Sequence, residues 1–144
     1  MKSWLSVFAF IVALSTGVVL RADTDAEVRA RKDALELAGA FANDGFNIRD
    51  GHWCGIIKPG EHALVGLNLY AGNQYWFSVG TVEPIKKVAI SVFDENGKRM
   101  TTESYANEEK AATGFAPGNS GQYFVAVDLA DGQEGSFCLV YSYK

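Results

Sequence analysis

From Trp53 to its C-terminus the chain is written in period two, and that constrains its fold more than any other feature. Ala63, Val65, Leu67 and Leu69 alternate with His62, Leu64, Gly66 and Asn68. After Ala71-Gly72-Asn73, Tyr75, Phe77 and Val79 alternate with Trp76 and Ser78. Side chains on a strand point to opposite faces in turn, so each run reads as a strand with one buried face, and the first two read as a hairpin. Val88, Ile90 and Val92 form the next strand, and the Asp94-Glu95-Asn96-Gly97 turn leads into a short partner near Lys98 to Thr102. Glu103 to Lys110 is polar, Ala111 to Ala116 is a weak strand, and Pro117 to Gly121 is a turn cluster. Tyr123, Val125, Val127 and Leu129 then face one way, Ala130 to Gly135 turns, and Phe137, Leu139, Tyr141 and Tyr143 form the partner strand with Cys138 on its other side. Seven or eight short strands separated by turns predict an antiparallel, jelly-roll-like β-sandwich.

Ahead of the sandwich the period is helical. Thr24-Asp25-Ala26-Glu27 has capping-box spacing, Ala30, Ala34, Leu37, Ala38 and Phe41 recur on one side, and Asn43-Asp44-Gly45 supplies a stop. A helix of this length is marginal alone in water, so it is expected to pack on the sandwich through Leu37 and Phe41. Still earlier, Lys2 precedes an uncharged apolar run from Trp4 to Leu20. That is the form of a signal peptide over residues 1–22, cleaved after Gly17 or after Ala22, with an uncleaved membrane anchor as the competing reading. The organisation predicted is a signal peptide over 1–22, a helical segment over 23–45 and a sandwich domain over 46–144. One domain of ordinary size accounts for the whole mature chain.

The formal net charge is −4, and loss of Lys2 and Arg21 leaves 11 basic against 17 acidic residues. Without a basic cluster beyond Arg29-Ala30-Arg31-Lys32, a nucleic-acid partner is not expected. The chain has two cysteines, Cys54 and Cys138. In an exported chain an even pair reads as a disulfide; the competing reading is two thiols packed among Trp53, Ile56, Phe137 and Leu139.

Three runs carry a resemblance: Leu69-Tyr70-Ala71-Gly72-Asn73-Gln74-Tyr75-Trp76-Phe77, then Val88-Ala89-Ile90-Ser91-Val92-Phe93-Asp94-Glu95-Asn96-Gly97, then Phe115-Ala116-Pro117-Gly118-Asn119-Ser120-Gly121-Gln122-Tyr123-Phe124-Val125-Ala126-Val127. Their order and spacing resemble bacterial pre-peptidase C-terminal domains over roughly residues 56–143. The resemblance implies a jelly-roll-like sandwich that serves as an accessory domain of exported proteins. The chain departs from that setting in carrying no catalytic domain.

Candidate chemistry is sparse. Gly118-Asn119-Ser120-Gly121 is close to the Gly-Asp-Ser-Gly around a serine nucleophile, but Asn replaces Asp and the segment reads as a turn, so no catalytic residue is assigned. His52 and His62 with Asp50 and Cys54 have no spacing that builds a metal site, and no cofactor is expected. Asp94, Glu95 and Asn96 in one turn and Asp128 and Asp131 in another offer oxygen donors for a calcium ion bridging two loops; turn acids serving their own hydrogen bonds are the plainer reading. Among Trp53, Tyr70, Tyr75, Trp76 and Tyr105, the pair Trp76 and Tyr70 is the candidate aromatic platform for a sugar ring or a polypeptide. The expectation is a non-catalytic binding or accessory module, periplasmic or secreted in a bacterium, with a protein or polysaccharide partner. Membrane contact is expected only if the N-terminal segment stays uncleaved. The alternative is a structural envelope-associated protein that docks a partner through its N-terminal helix.

Overall fold

A computed structural model describes residues 24–107 and 109–144 of the chain. The expected signal peptide over residues 1–22, with its two candidate cleavage positions, lies outside the described residues. Within them one helix, α1 (Asp25–Ala40), precedes nine strands: β1 (Asn47–Ile48), β2 (Trp53–Ile57), β3 (His62–Leu69), β4 (Tyr75–Thr81), β5 (Ile85–Asp94), β6 (Glu103–Asn107), β7 (Lys110–Phe115), β8 (Gly121–Gly132) and β9 (Gly135–Tyr143). The strands make two antiparallel sheets. One runs β1-β9-β4-β7-β6, with β2 also paired to β9, and the other is the three-stranded sheet β3-β8-β5. The expected β-sandwich is present, with nine strands in place of seven or eight.

The core lies between the sheets, and its residues are the ones the alternation selected. Val65, Leu67 and Leu69 of β3, Tyr75, Phe77 and Val79 of β4, Val88, Ile90 and Val92 of β5, Tyr123, Val125 and Val127 of β8, and Phe137, Leu139 and Tyr141 of β9 form one buried cluster. The pairing of the strands differs from expectation. β3 pairs with β8 and β4 with β7 and β9, so Ala71-Gly72-Asn73 carries the chain from one sheet to the other and does not close a hairpin. The same holds for the last two strands, since β8 belongs to the three-stranded sheet and β9 to its partner. Alternation sets which side of a strand faces the core, and in a sandwich a strand from either sheet satisfies that demand equally.

Two smaller corrections concern the segment between β5 and β7, and the strand expected after Lys110 is present. The polar run after Thr102 contains β6, an edge strand with every residue exposed, where no buried face imposes an apolar pattern. The short strand expected near Lys98 to Thr102 reduces to a bridge between Phe93 and Arg99 beside the turn. The weak strand after Lys110 is β7, a central strand buried from Ala111 to Phe115.

α1 starts as its sequence dictates. The Thr24 hydroxyl accepts from the Glu27 amide at 3.2 Å, and the Glu27 carboxylate accepts from the Thr24 amide at 3.1 Å. The helix lies across the outer face of the larger sheet, and its buried residues are Glu27, Ala30, Ala34 and Ala38. Leu37 and Phe41, expected to carry the contact, are only half-buried. Small residues do the work on both sides, because a close approach of helix backbone to sheet backbone leaves no room for large ones. Ser78, Ser142, Val140 and Cys138 are buried on that outer side, and a Cβ at Gly80 would meet the Ala30 carbonyl oxygen and lie 2.6 Å from the Ala34 amide nitrogen. Phe41, just past the helix, stacks on Trp76 with ring centres 4.3 Å apart and planes within 10°.

Candidate functional site

With α1 seated on one sheet, no described element covers the outer face of the other. Residues opposite one another across β3, β8 and β5 are His62, Asp128 and Ala89; then Leu64, Ala126 and Ser91; then Gly66, Phe124 and Phe93. All point away from the core, since their neighbours along each strand are the buried ones. Leu64 is 63% exposed, while Phe93 and Phe124 are half-buried. Gly66 leaves a place for the Phe124 ring, whose Cε1 would lie 3.4 Å from a Cβ at that position. The result is a shallow groove of about 410 Å³ floored by Leu64, Phe93, Phe124 and Ala126.

Acidic side chains border it. His62 and Asp128 pair through Nδ1 and Oδ1 at one end, and Asp94 and Glu95 stand at the other. Asp94 is committed to its own turn, its Oδ1 accepting from the Asn96 amide at 2.9 Å and the Lys98 amide at 2.8 Å. Such a surface can hold an apolar partner against its floor and favour positive charge at its ends, which is recognition chemistry.

The residues singled out from sequence divide as follows. Cys54 and Cys138 are cross-strand partners in β2 and β9, 4.1 Å apart at Cα, and are joined as a disulfide. The Cys138 sulfur lies 3.3 Å from the Glu27 carbonyl oxygen, beneath α1. The calcium candidates are not gathered into one site. Asp94 and Asn96 share a turn hydrogen bond, Asp128 pairs with His62, and Asp131 sits opposite Lys87 in a separate cleft. Among the described residues no three His, Cys, Asp or Glu side chains are placed to hold a metal ion.

The aromatic pair is not brought together as a platform. Trp76 lies beneath Phe41 and against Gly114, where a Cβ would come 2.9 Å from its ring. Its remaining accessible part borders a cavity of about 450 Å³ with Phe46, Gln74 and Glu103, whereas Tyr70 stands exposed outside that lining. Ser120 of the Gly-Asn-Ser-Gly run accepts from the Ala71 amide at 2.9 Å and so ties two turns together. The other histidine, His52, pairs with Arg31 at 3.3 Å.

Phe93 and Phe124 were missed by motif reading. The available signal was parity: β8 holds Phe124 and Ala126, and β3 holds Leu64, on the positions that alternate with the core set. An apolar residue on the outward parity of an amphipathic strand marks either a covered face or a docking one. No protein-family model matches this chain, and a search of curated proteins finds no relative.

Proposed function

We propose that this chain is a non-catalytic binding module, exported to the bacterial periplasm or beyond and of the pre-peptidase C-terminal kind, that holds a protein or polysaccharide partner on the outer face of β3-β8-β5. The observation that carries the reading is the asymmetry of the two outer faces. One is sealed by α1, while among the described residues nothing covers the apolar floor of the other, where Leu64 is 63% exposed. The Cys54–Cys138 disulfide supports an oxidising compartment, and the three turn motifs support the family assignment.

A second reading has its own observation. Val28 and Leu35, two helical turns apart on α1, are 43% and 41% exposed, which favours a structural envelope-associated protein that docks a partner through the helix. Immobilised wild-type protein and the Leu64→Asp and Leu35→Asp variants, offered the extract of the source cell envelope, separate the two. A component retained by wild type and Leu35→Asp but lost by Leu64→Asp supports the sheet face. The reverse pattern supports the helix, and retention that ignores both substitutions sinks both readings.

A further inference from the structure

Four edges bound the two sheets, and three of them are blunted. β5 carries a bulge between Ile85 and Val88, Lys86 and Lys87, and a partial covering where the Met100 amide donates to the Val92 carbonyl and the Asp94 amide to that of Lys98. β6 is five residues long and opens on Glu103. The β1 and β2 edge is broken into pieces of two and five residues. Short strands, bulges, lysines and coverings are the means by which proteins keep a sheet edge from acquiring a new strand.

β3 has none of them. It runs eight residues in unbroken register with β8, contains no proline, lysine, arginine, aspartate or glutamate, and has its single titratable side chain, His62, taken up by Asp128. Among the described residues no backbone hydrogen bond reaches its other side. The exposed Leu64 stands at that margin and continues the apolar floor of the groove.

Resting on the binding-module reading, we infer that the partner is an extended polypeptide segment that adds to β3 as a fourth strand, with apolar side chains at alternate positions and a basic residue near one end. Main-chain hydrogen bonds supply the affinity of such an addition, and alternate side chains landing beside Leu64 supply its selectivity. Charge fixes the rest. Glu61 stands immediately before β3 and makes no ion pair among the described residues, Asp128 is beside its first residue, and Asp94 and Glu95 border the groove. A basic segment complements these acids, while a second copy of a chain with net charge −4 is repelled.

The probe is a blocked nine-residue peptide of alternating valine and threonine with lysine at both ends, compared at low ionic strength with the same peptide ending in glutamate. The intact, oxidised protein is followed by amide NMR and hydrogen exchange. The expected result is saturable binding of the lysine peptide below millimolar concentration, protection of amides between residues 62 and 69, and at least tenfold weaker binding of the glutamate peptide. Leu64→Lys, which installs a natural edge guard at an exposed position, should weaken binding at least tenfold with an unchanged melting temperature. Equal affinity for the two peptides, protection confined to β6, absence of saturable binding, or a dimer of the chain itself paired through β3 would each overturn the inference. A captured partner that depends on Leu64 yet protects no β3 amide leaves the binding-module reading standing and removes only the added strand.

Discussion

Gly80 shows how one absent side chain determines an interface. A methyl group there would collide with backbone atoms of Ala30 and Ala34, which cannot swing aside as a side chain could. Gly80→Ala should therefore lift α1 and cost about 1–3 kcal/mol, the usual range for overpacking a fitted contact. Gly66→Ala is the control, because its nearest neighbours at 3.4 Å are the movable ends of Gln122 and Phe124. Equal melting temperatures for the two variants would contradict the tight seat. Tyr141 makes a second residue-scale case. Burial pushes its phenol above the ordinary value of 10.0, with Arg49 pulling the other way and Tyr75, Tyr143 and Tyr70 adding to the rise. The folded state thus keeps this proton at a pH where the unfolded chain has released it. The corresponding stability is complete below about pH 10 and is lost as pH rises through the raised value. Urea midpoints measured from pH 8 upward should fall more steeply for wild type than for Tyr141→Phe, and parallel curves would refute this.

At the scale of elements, α1 is a cover whose grip comes from three alanines and a stacked phenylalanine. Burying Ala30, Ala34 and Ala38 contributes roughly 0.8 kcal/mol for each methyl group, and the Phe41–Trp76 stack adds about 1 kcal/mol. The ion pairs from Lys110 to Asp33 and Glu36, each 3.7 Å, are too exposed to add much. Removing residues before Phe46 should lower stability by about 3 kcal/mol and increase binding of a hydrophobic dye, since Ser78, Gly80 and Val140 would lose their lid. An unchanged melting curve would make the helix an appendage.

The same scale explains what sequence could reveal. Thr24 and Glu27 announced the helix start because a cap is a local contract between neighbours. The inward set of β3, β4, β5, β8 and β9 was legible because burial imposes parity. Which sheet each strand joins was not, since Ala71-Gly72-Asn73 and the turn after Gly132 serve a sheet-to-sheet crossing as readily as a hairpin. β6 was invisible because an exposed edge imposes no pattern. Leu64 was seen to alternate with the core, but its meaning depended on whether the helix covered that sheet or the other.

For the whole molecule, the Cys54–Cys138 bridge spans 84 residues and encloses nearly the entire sandwich. The chain-entropy treatment gives about 4.5 kcal/mol for a loop of that size, an upper figure because residual structure in the unfolded chain subtracts from it. Reduction should lower the melting temperature markedly, and thiol titration of denatured, unreduced protein should read near zero. Two reactive thiols per chain would contradict the bridge. The position of β9 has a consequence for how the molecule comes into being. β9 lies between β4 on one side and β1 and β2 on the other, so three earlier strands wait for the last nine-residue strand before their sheet can close. Until β9 has been made, β1 and β2 have no partner strand among the described residues and β4 has only β7, so a nascent chain of this sequence cannot complete that sheet from the segments that precede Gly135.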